Sequence, residues 1–260
     1  CSTPQKIIAA PGCRCNPTPL YTRIPVEQIE NVTVVIPTLD EARALPDCLE
    51  SVGSEDGVDI VVSDGGSSDG TVAVAESVSG VQVVRGAGGR GPQLNRGAAI
   101  ARTRLVVFVH ADCRLPDGWL AAVRHALADP GTALCCFRLF TEPTTRGAQA
   151  GTLRRRWLRL LDLRSRLRVL PYGDQGFGMR LSLFDELGGY PDIPLMEDVE
   201  LASRCRRHGR IYHIPLEMRT TARRFERNPL RTRLMTATFP MLFRLGVSPW
   251  RLARWYAPER

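Results

Sequence analysis

The chain has 260 residues and is 43% hydrophobic, enough to bury one sizeable core and too short for several. The 35 basic and 27 acidic residues leave a formal charge of +8, which suits an anionic partner; yet Lys6 is the one lysine, so arginine fills the basic positions and most Arg clusters read as solvated faces. Eight cysteines without a C-x-x-C pair exclude a small disulfide framework and point to reduced thiols in a cytoplasmic protein.

Cys13-Arg14-Cys15 is too sparse for a zinc site. No apolar run approaches the ~20 residues that cross a bilayer, and no basic-then-apolar leader is visible. The chain starts at Cys1 without an initiator Met, as expected of a trimmed chain or a piece of a longer one; a lipid-modified start is the alternative, disfavoured because nothing nearby looks secretory.

Residues 1–30 carry Pro4, Pro11, Pro17, Pro19 and Pro25 with little periodicity and read as an extended tail. A folded domain over 31–226 follows. Its predicted elements alternate: strand TVVIP, a helix over Leu45–Val52 opened by Pro46, strand DIVVS, a helix from Thr71, strand VQVV, a helix over Gln93–Arg102, strand LVVFVH and a helix over Trp119–Leu127. This βα repetition predicts an α/β fold with a mainly parallel sheet, and its continuous β-branched strands predict helices on both faces.

Strand ALCCFRLF comes next. Leu153, Trp157, Leu160, Leu161 and Leu167 then recur at near-helical spacing through an Arg-rich stretch, an amphipathic helix that either packs with a wet basic face or touches an acidic lipid surface. YGDQGFGMRLSLFDELGGY supplies turns and a short helix, MEDVELASRCRRHG another helix, and RIYHIP a late strand. Residues 227–260 form a helical C-terminal extension interrupted by Pro240 and Pro249.

Chemistry-bearing residues collect at strand ends, where open α/β sheets bind ligands. Thr38, Asp40 and Glu41 follow Pro37 at the end of the first strand and can hydrogen-bond a base or ribose, or Asp40 or Glu41 can cap the next helix. Asp64 ends the second strand and is hard to explain as a cap, whereas Asp69 divides evenly between capping and function. GAGGRGPQLNRG brings Arg90, Gln93 and Asn95 to a glycine-rich helix start that suits a phosphate; a plain surface loop is the alternative.

LVVFVHADCRLP delivers His110 and Asp112, which period-two geometry points the same way. They can share a divalent cation that neutralises a diphosphate, or serve as a hydrogen-bonded His and a capping Asp. Glu197 and Asp198 open a helix, where the dipole favours acids, and one of them can take a proton from a hydroxyl.

Taken in order, these segments resemble the family 2 glycosyltransferases from Val32 to about Phe225. The resemblance implies a GT-A fold, a Rossmann-like sheet flanked by helices, and an inverting transfer from a nucleotide sugar. It implies that PTLDE and Asp64 hold the nucleoside, with UDP as the expected carrier. The family's D-x-D, which binds Mg²⁺ or Mn²⁺ on the diphosphate, falls on His110-Ala111-Asp112, with His110 in place of the first acid.

The family's E-D pair falls on Glu197-Asp198, with Asp198 as catalytic base, and Arg223-Arg224-Phe225 resembles an R-W element near the diphosphate without its Trp, implying donor contact by Arg224. The combination with GVSPWRLARWY is similar to a bacterial subgroup associated with radical-enzyme and selenium or arsenic sugar pathways. Expected partners are a nucleotide-sugar donor, an acceptor hydroxyl and the membrane surface, without nucleic acid. A rival reading, a basic protein that binds nucleic acid or membrane without catalysis, leaves the ordered acids at the strand ends unexplained.

Overall fold

The computed structural model describes residues 31–142, 162, 170–222 and 229–256; the tail over 1–30, most of the Arg-rich helix expected over 154–168, and Arg224 lie outside them. Four strands form a parallel block: β1 (Val32–Thr38), β2 (Val58–Asp64), β3 (Val81–Arg85) and β4 (Leu105–Phe108). Helices α1 (Leu45–Val52), α2 (Thr71–Glu76) and α3 (Arg90–Ala98) connect them. Pro46 sits in the first turn of α1, where its missing N–H is harmless, and the helix buries Leu45, Cys48, Leu49 and Val52. Helix α3 starts earlier than Gln93 because Pro92 is tolerated in a first turn, and it stops before Arg102.

Beyond β4 come β5 (Cys113–Arg114), α4 (Trp119–Ala128), β6 (Thr132–Glu142), β7 (Phe177–Arg180), α5 (Leu181–Glu186), α6 (Glu197–His208), β8 (Arg210–Thr221), α7 (Pro229–Arg244) and α8 (Pro249–Trp255). Among the described residues the sheet has eight strands in the order β3-β2-β1-β4-β7-β6-β8-β5. The chain winds outward from β1 to β3 and then crosses to β4 on the other side of β1. This reversal opens a crevice at the carboxyl ends of β1 and β4.

Side chains partition by the strand period. Val32, Val34 and Ile36 of β1 and Leu105 and Val107 of β4 join one core beneath α1 and α4, while Val35, Val106 and Phe108 join a second beneath α3, α5 and α6. A third, smaller cluster of Leu195, Phe239 and Leu252 fastens α7 and α8 beside the start of α6.

Three elements depart from expectation. β7 replaces part of a turn region: it is antiparallel to both β4 and β6, and a Cβ on its Gly178 would lie 2.7 Å from Cys135 Sγ, so the residue that looks like a turn former is the one that fits between neighbours. β8 extends far past RIYHIP because its register against β6 shifts after Ile214, bulging Pro215 out of the ladder where no N–H is required. Pro240 lies inside α7 rather than ending it, whereas Pro249 opens α8.

Gly97 sets the distance between α3 and the sheet, since a Cβ there would lie 2.3 Å from Val35 Cγ1. Gly97→Ala is therefore expected to destabilise by roughly 1–3 kcal/mol through overpacking, despite its better helix propensity. Adding Val35→Ala should recover part of the loss in chemical denaturation.

Candidate active site

At one end of the crevice the loops after β1 and β2 are laced together. Thr38 pairs in register with Asp64 and donates its hydroxyl to Asp64 Oδ1 at 3.2 Å. Asp64 also accepts from the Ser67 hydroxyl and from the backbone N–H groups of Gly66 and Ser67 at 2.9 and 3.0 Å. Burial pushes this carboxyl up, but the hydrogen bonds from Ser67, Gly66 and Thr38 outweigh it and hold the pKa below the usual carboxylate range.

Asp40 adopts a left-handed backbone (φ 56°), which Asp tolerates; it donates its N–H to Ser67 Oγ and accepts from the Ser68 N–H at 2.7 Å. Asp69 accepts the Thr71 N–H at the start of α2, the local structural role expected of it, and also the Ala42 N–H across the gap. The Glu41 N–H is bound by Thr71 Oγ1, and Pro37, next to last in β1, is half-buried.

Helix α3 stitches this end to the next. Gln93, buried, donates its amide to the carbonyls of Thr38 and Ser63, clamping the ends of β1 and β2. Asn95 exchanges two hydrogen bonds with the backbone of Tyr190, and Arg96 donates to the Asp64 carbonyl at 2.9 Å. Gln93 and Asn95, expected at a donor phosphate, thus act on backbone instead. Arg90 alone of the three lines the cleft.

The cleft lies across the end of β4. The strand stops at Phe108, and the Cys113 N–H bonds back to the His110 carbonyl at 3.0 Å, so a turn rather than strand alternation brings the side chains of the His-Ala-Asp segment together. Ligand atoms of His110, Asp112 and Cys113 all lie within 4.8 Å of one another. Burial, then Asp112, pushes the Cys113 thiol far above its ordinary value, and its Sγ lies 3.7 Å from Asp112 Oδ1 and 3.8 Å from the Asp174 carbonyl. Imidazole and carboxylate are the harder ligands of the three, and they fit Mn²⁺ or, with more water, Mg²⁺.

A short 3₁₀ turn, Gly173–Gln175, connects this pair to the acids of α6. The Gly173 N–H donates to Asp198 Oδ2 at 2.6 Å, and a Cβ on Gly173 would lie 3.0 Å from His110 Nε2 and 3.4 Å from Asp198 Cβ. Glycine is what permits imidazole and carboxylate to approach from both sides. Asp174, in the same turn, also lines the cleft. Neither residue was singled out from sequence, where YGDQG reads as an ordinary turn.

Met196, in a left-handed backbone (φ 70°), turns the chain into α6. Glu197 is 1% exposed and pairs with Arg90 at 2.9 Å. Asp198 faces the cleft and accepts a second N–H from Val199 at 2.7 Å. Burial first and Glu197 second push its pKa up, to about 6, against the opposing pull of the Gly173 N–H and Arg90. Opposite these polar groups Leu195, Met196, Met235, Phe239 and Tyr256 make the wall apolar. Thr38 stands on the strand next to β4 and Asp64 on the one beyond it, about 5 and about 10 Å across the sheet by strand spacing.

Sheet order, the crevice at its reversal and the acids along it define a GT-A fold. The glycosyl transferase family 2 profile matches residues 33–188, more than half of the chain, and the chain belongs to that family. Protein MT1568 of Mycobacterium tuberculosis is 26% identical over 249 residues, covering 88% of this chain and 77% of that protein. Among solved structures, S. aureus TarS 1–349 in complex with UDP is similar at a TM-score of 0.59 and 18% identity, over 74% of this chain and 60% of that one. The mannosyltransferase PcManGT from Pyrobaculum calidifontis, in complex with GDP-Man and Mn²⁺, gives 0.57 and 23%, over 76% and 61%. The chain spans about three-fifths of the length of these two structures.

Removing Arg90 strands a buried carboxylate. Because Arg90 is itself 32% exposed, Arg90→Met should fall at the low end for a broken buried pair, roughly 3 kcal/mol. The double variant Arg90→Met/Glu197→Gln should lose less than Arg90→Met alone in urea unfolding.

Proposed function

We propose that this chain transfers a glycosyl group from a nucleoside diphosphate sugar, with UDP as carrier, to an acceptor hydroxyl with inversion at the anomeric carbon. The observation that carries this reading is one cleft lined by His110 and Asp112 and also by Asp198. Asp112 and His110 would hold Mg²⁺ or Mn²⁺, which when bound offsets negative charge on the diphosphate. Asp198 takes the proton of the acceptor hydroxyl. The freed oxygen bonds to the anomeric carbon as the carbon's bond to the diphosphate breaks from the opposite face, its electron pair leaving with the nucleotide.

Arg90 stabilises that departing charge from the cleft wall, and Glu197 fixes Arg90 there. Thr38, Glu41 and Asp64 supply the nucleoside end. Each Asp64 oxygen already has two donors, so a uracil N–H would replace the Ser67 hydroxyl, the partner free to rotate. Arg224, outside the described residues, keeps its proposed place near the diphosphate through resemblance. The likeness to the selenium- or arsenic-sugar subgroup rests on motif resemblance in the same way.

Buried free thiols at Cys48, Cys113, Cys135, Cys136 and Cys205 support a reducing, cytoplasmic setting. Among the described residues no helix is long and apolar enough to cross a membrane. A nucleic-acid binder is disfavoured, because Asp112, Asp174 and Asp198 along the cleft would repel phosphates unless a metal intervened.

Asp198→Asn should keep UDP-dependent thermal stabilisation in Mn²⁺ and lower UDP-sugar turnover, read as hydrolysis or transfer, by roughly 10²-fold or more; unchanged turnover would remove Asp198 as the base. The base acts only when deprotonated, so a raised pKa moves its loss of function to higher pH. The rate should accordingly climb as pH rises through about 6, a limb absent from the residual activity of Asp198→Asn. Asp112→Asn should abolish the extra stabilisation that Mn²⁺ gives to UDP.

A further inference from the structure

Helices α7 and α8 carry more apolar surface than packing requires. At 100° per residue, Met235, Phe239, Leu242 and Phe243 lie on the face of α7 that joins the third cluster, whereas Leu234, Met241 and Leu245, spaced i, i+7, i+11, share a separate face. That second face is solvent-exposed: Leu234, Met241, Leu245 and, on α8, Trp250 and Trp255 are each more than half exposed. Singly exposed apolar residues need no explanation, but five large ones within two short helices mark a contact surface.

The charge around them selects the partner. Residues 229–256 contain five arginines and no Asp, Glu, Lys or His. Arg244, Arg251 and Arg254 are exposed beside the apolar side chains. A second copy of the chain would bring the same positive charge against itself, whereas an anionic surface is complementary. Tryptophan with arginine on helices of low net hydrophobicity is the composition that settles at the boundary between headgroups and acyl chains, the ring body in the apolar layer and the cation at the phosphates.

We propose that the exposed face of α7 and α8 docks on a phospholipid bilayer bearing anionic headgroups. The opposite faces of these helices supply Met235, Phe239 and Tyr256 to the cleft wall. If the transferase reading above holds, a docked molecule therefore presents Asp198 to hydroxyls carried at the lipid surface, and the apolar wall meets the acyl-proximal part of such an acceptor. The docking itself does not depend on that reading.

The test is co-sedimentation of the full chain with vesicles of phosphatidylcholine alone or with a third of phosphatidylglycerol, with UDP–Mn²⁺ thermal stabilisation measured in parallel. The expected result is binding to the anionic vesicles only, weakened by salt, with a blue shift of tryptophan emission. Met241→Glu/Leu245→Glu and, separately, Arg251→Glu/Arg254→Glu should each lower the partition coefficient by roughly tenfold or more, with folding and UDP–Mn²⁺ stabilisation unchanged. Absence of vesicle binding, equal binding to both vesicle types, or full binding by both variants would overturn the proposal. So would a concentration-dependent dimer that Met241→Glu/Leu245→Glu dissolves in the absence of lipid binding, which would assign the face to a second copy. Failure of UDP–Mn²⁺ stabilisation alone would count against the transferase reading and leave the docking intact.

Discussion

Two carboxylates adjacent in sequence, Glu197 buried and Asp198 half-buried at the cleft, share the start of α6, and much of the surrounding structure answers the charge they bring there. Glu197 is neutralised by Arg90. Asp198 is held by two backbone N–H groups, one from its own helix and one from Gly173. The compensation is partial: burial and the neighbouring acid still raise the Asp198 pKa. A carboxylate in that state is a stronger base than one in water yet ionised at neutral pH, the compromise that general-base chemistry calls for.

The partner that neutralises Glu197 comes from α3, and that helix links the two ends of the crevice. From successive positions it holds the acid pair through Arg90, the ends of β1 and β2 through Gln93, the Tyr190 turn through Asn95 and the Asp64 carbonyl through Arg96. Tyr190 in turn packs edge-on against Phe108 at the end of β4. Gly97 lets the helix lie close enough to β1 for these reaches to succeed. A disturbance of α3 would therefore move the ends of β1 and β2 and the acid pair together.

Much of this was legible in the sequence because it obeys local rules. Pro46 marks the start of α1, β-branched runs mark the buried parallel strands, and an acid that ends such a run marks the ligand edge of the sheet. What escaped notice required partners distant in the chain. Gly178 looks like a turn residue until Cys135 occupies the space a side chain would need, and Pro215 looks like a strand end until the bulge against β6 is seen. The amides of Gln93 and Asn95 suit a phosphate and a backbone carbonyl equally well, and only tertiary contact decides between them. Gly173 has no side chain to signal a role; its importance is its N–H to Asp198 and the gap it leaves between His110 and Asp198.

The account stands on a single cleft in which the diphosphate lies on the side of His110 and Asp112 and the acceptor on the side of Asp198. A crystal structure with a UDP-sugar and Mn²⁺ measures this directly. The account predicts the ion bound by Asp112 and His110 against the diphosphate, the base near Asp64, and the anomeric carbon open towards the Asp198 carboxylate. A donor seated with its anomeric carbon turned away from Asp198, or with its diphosphate remote from Asp112, would contradict it.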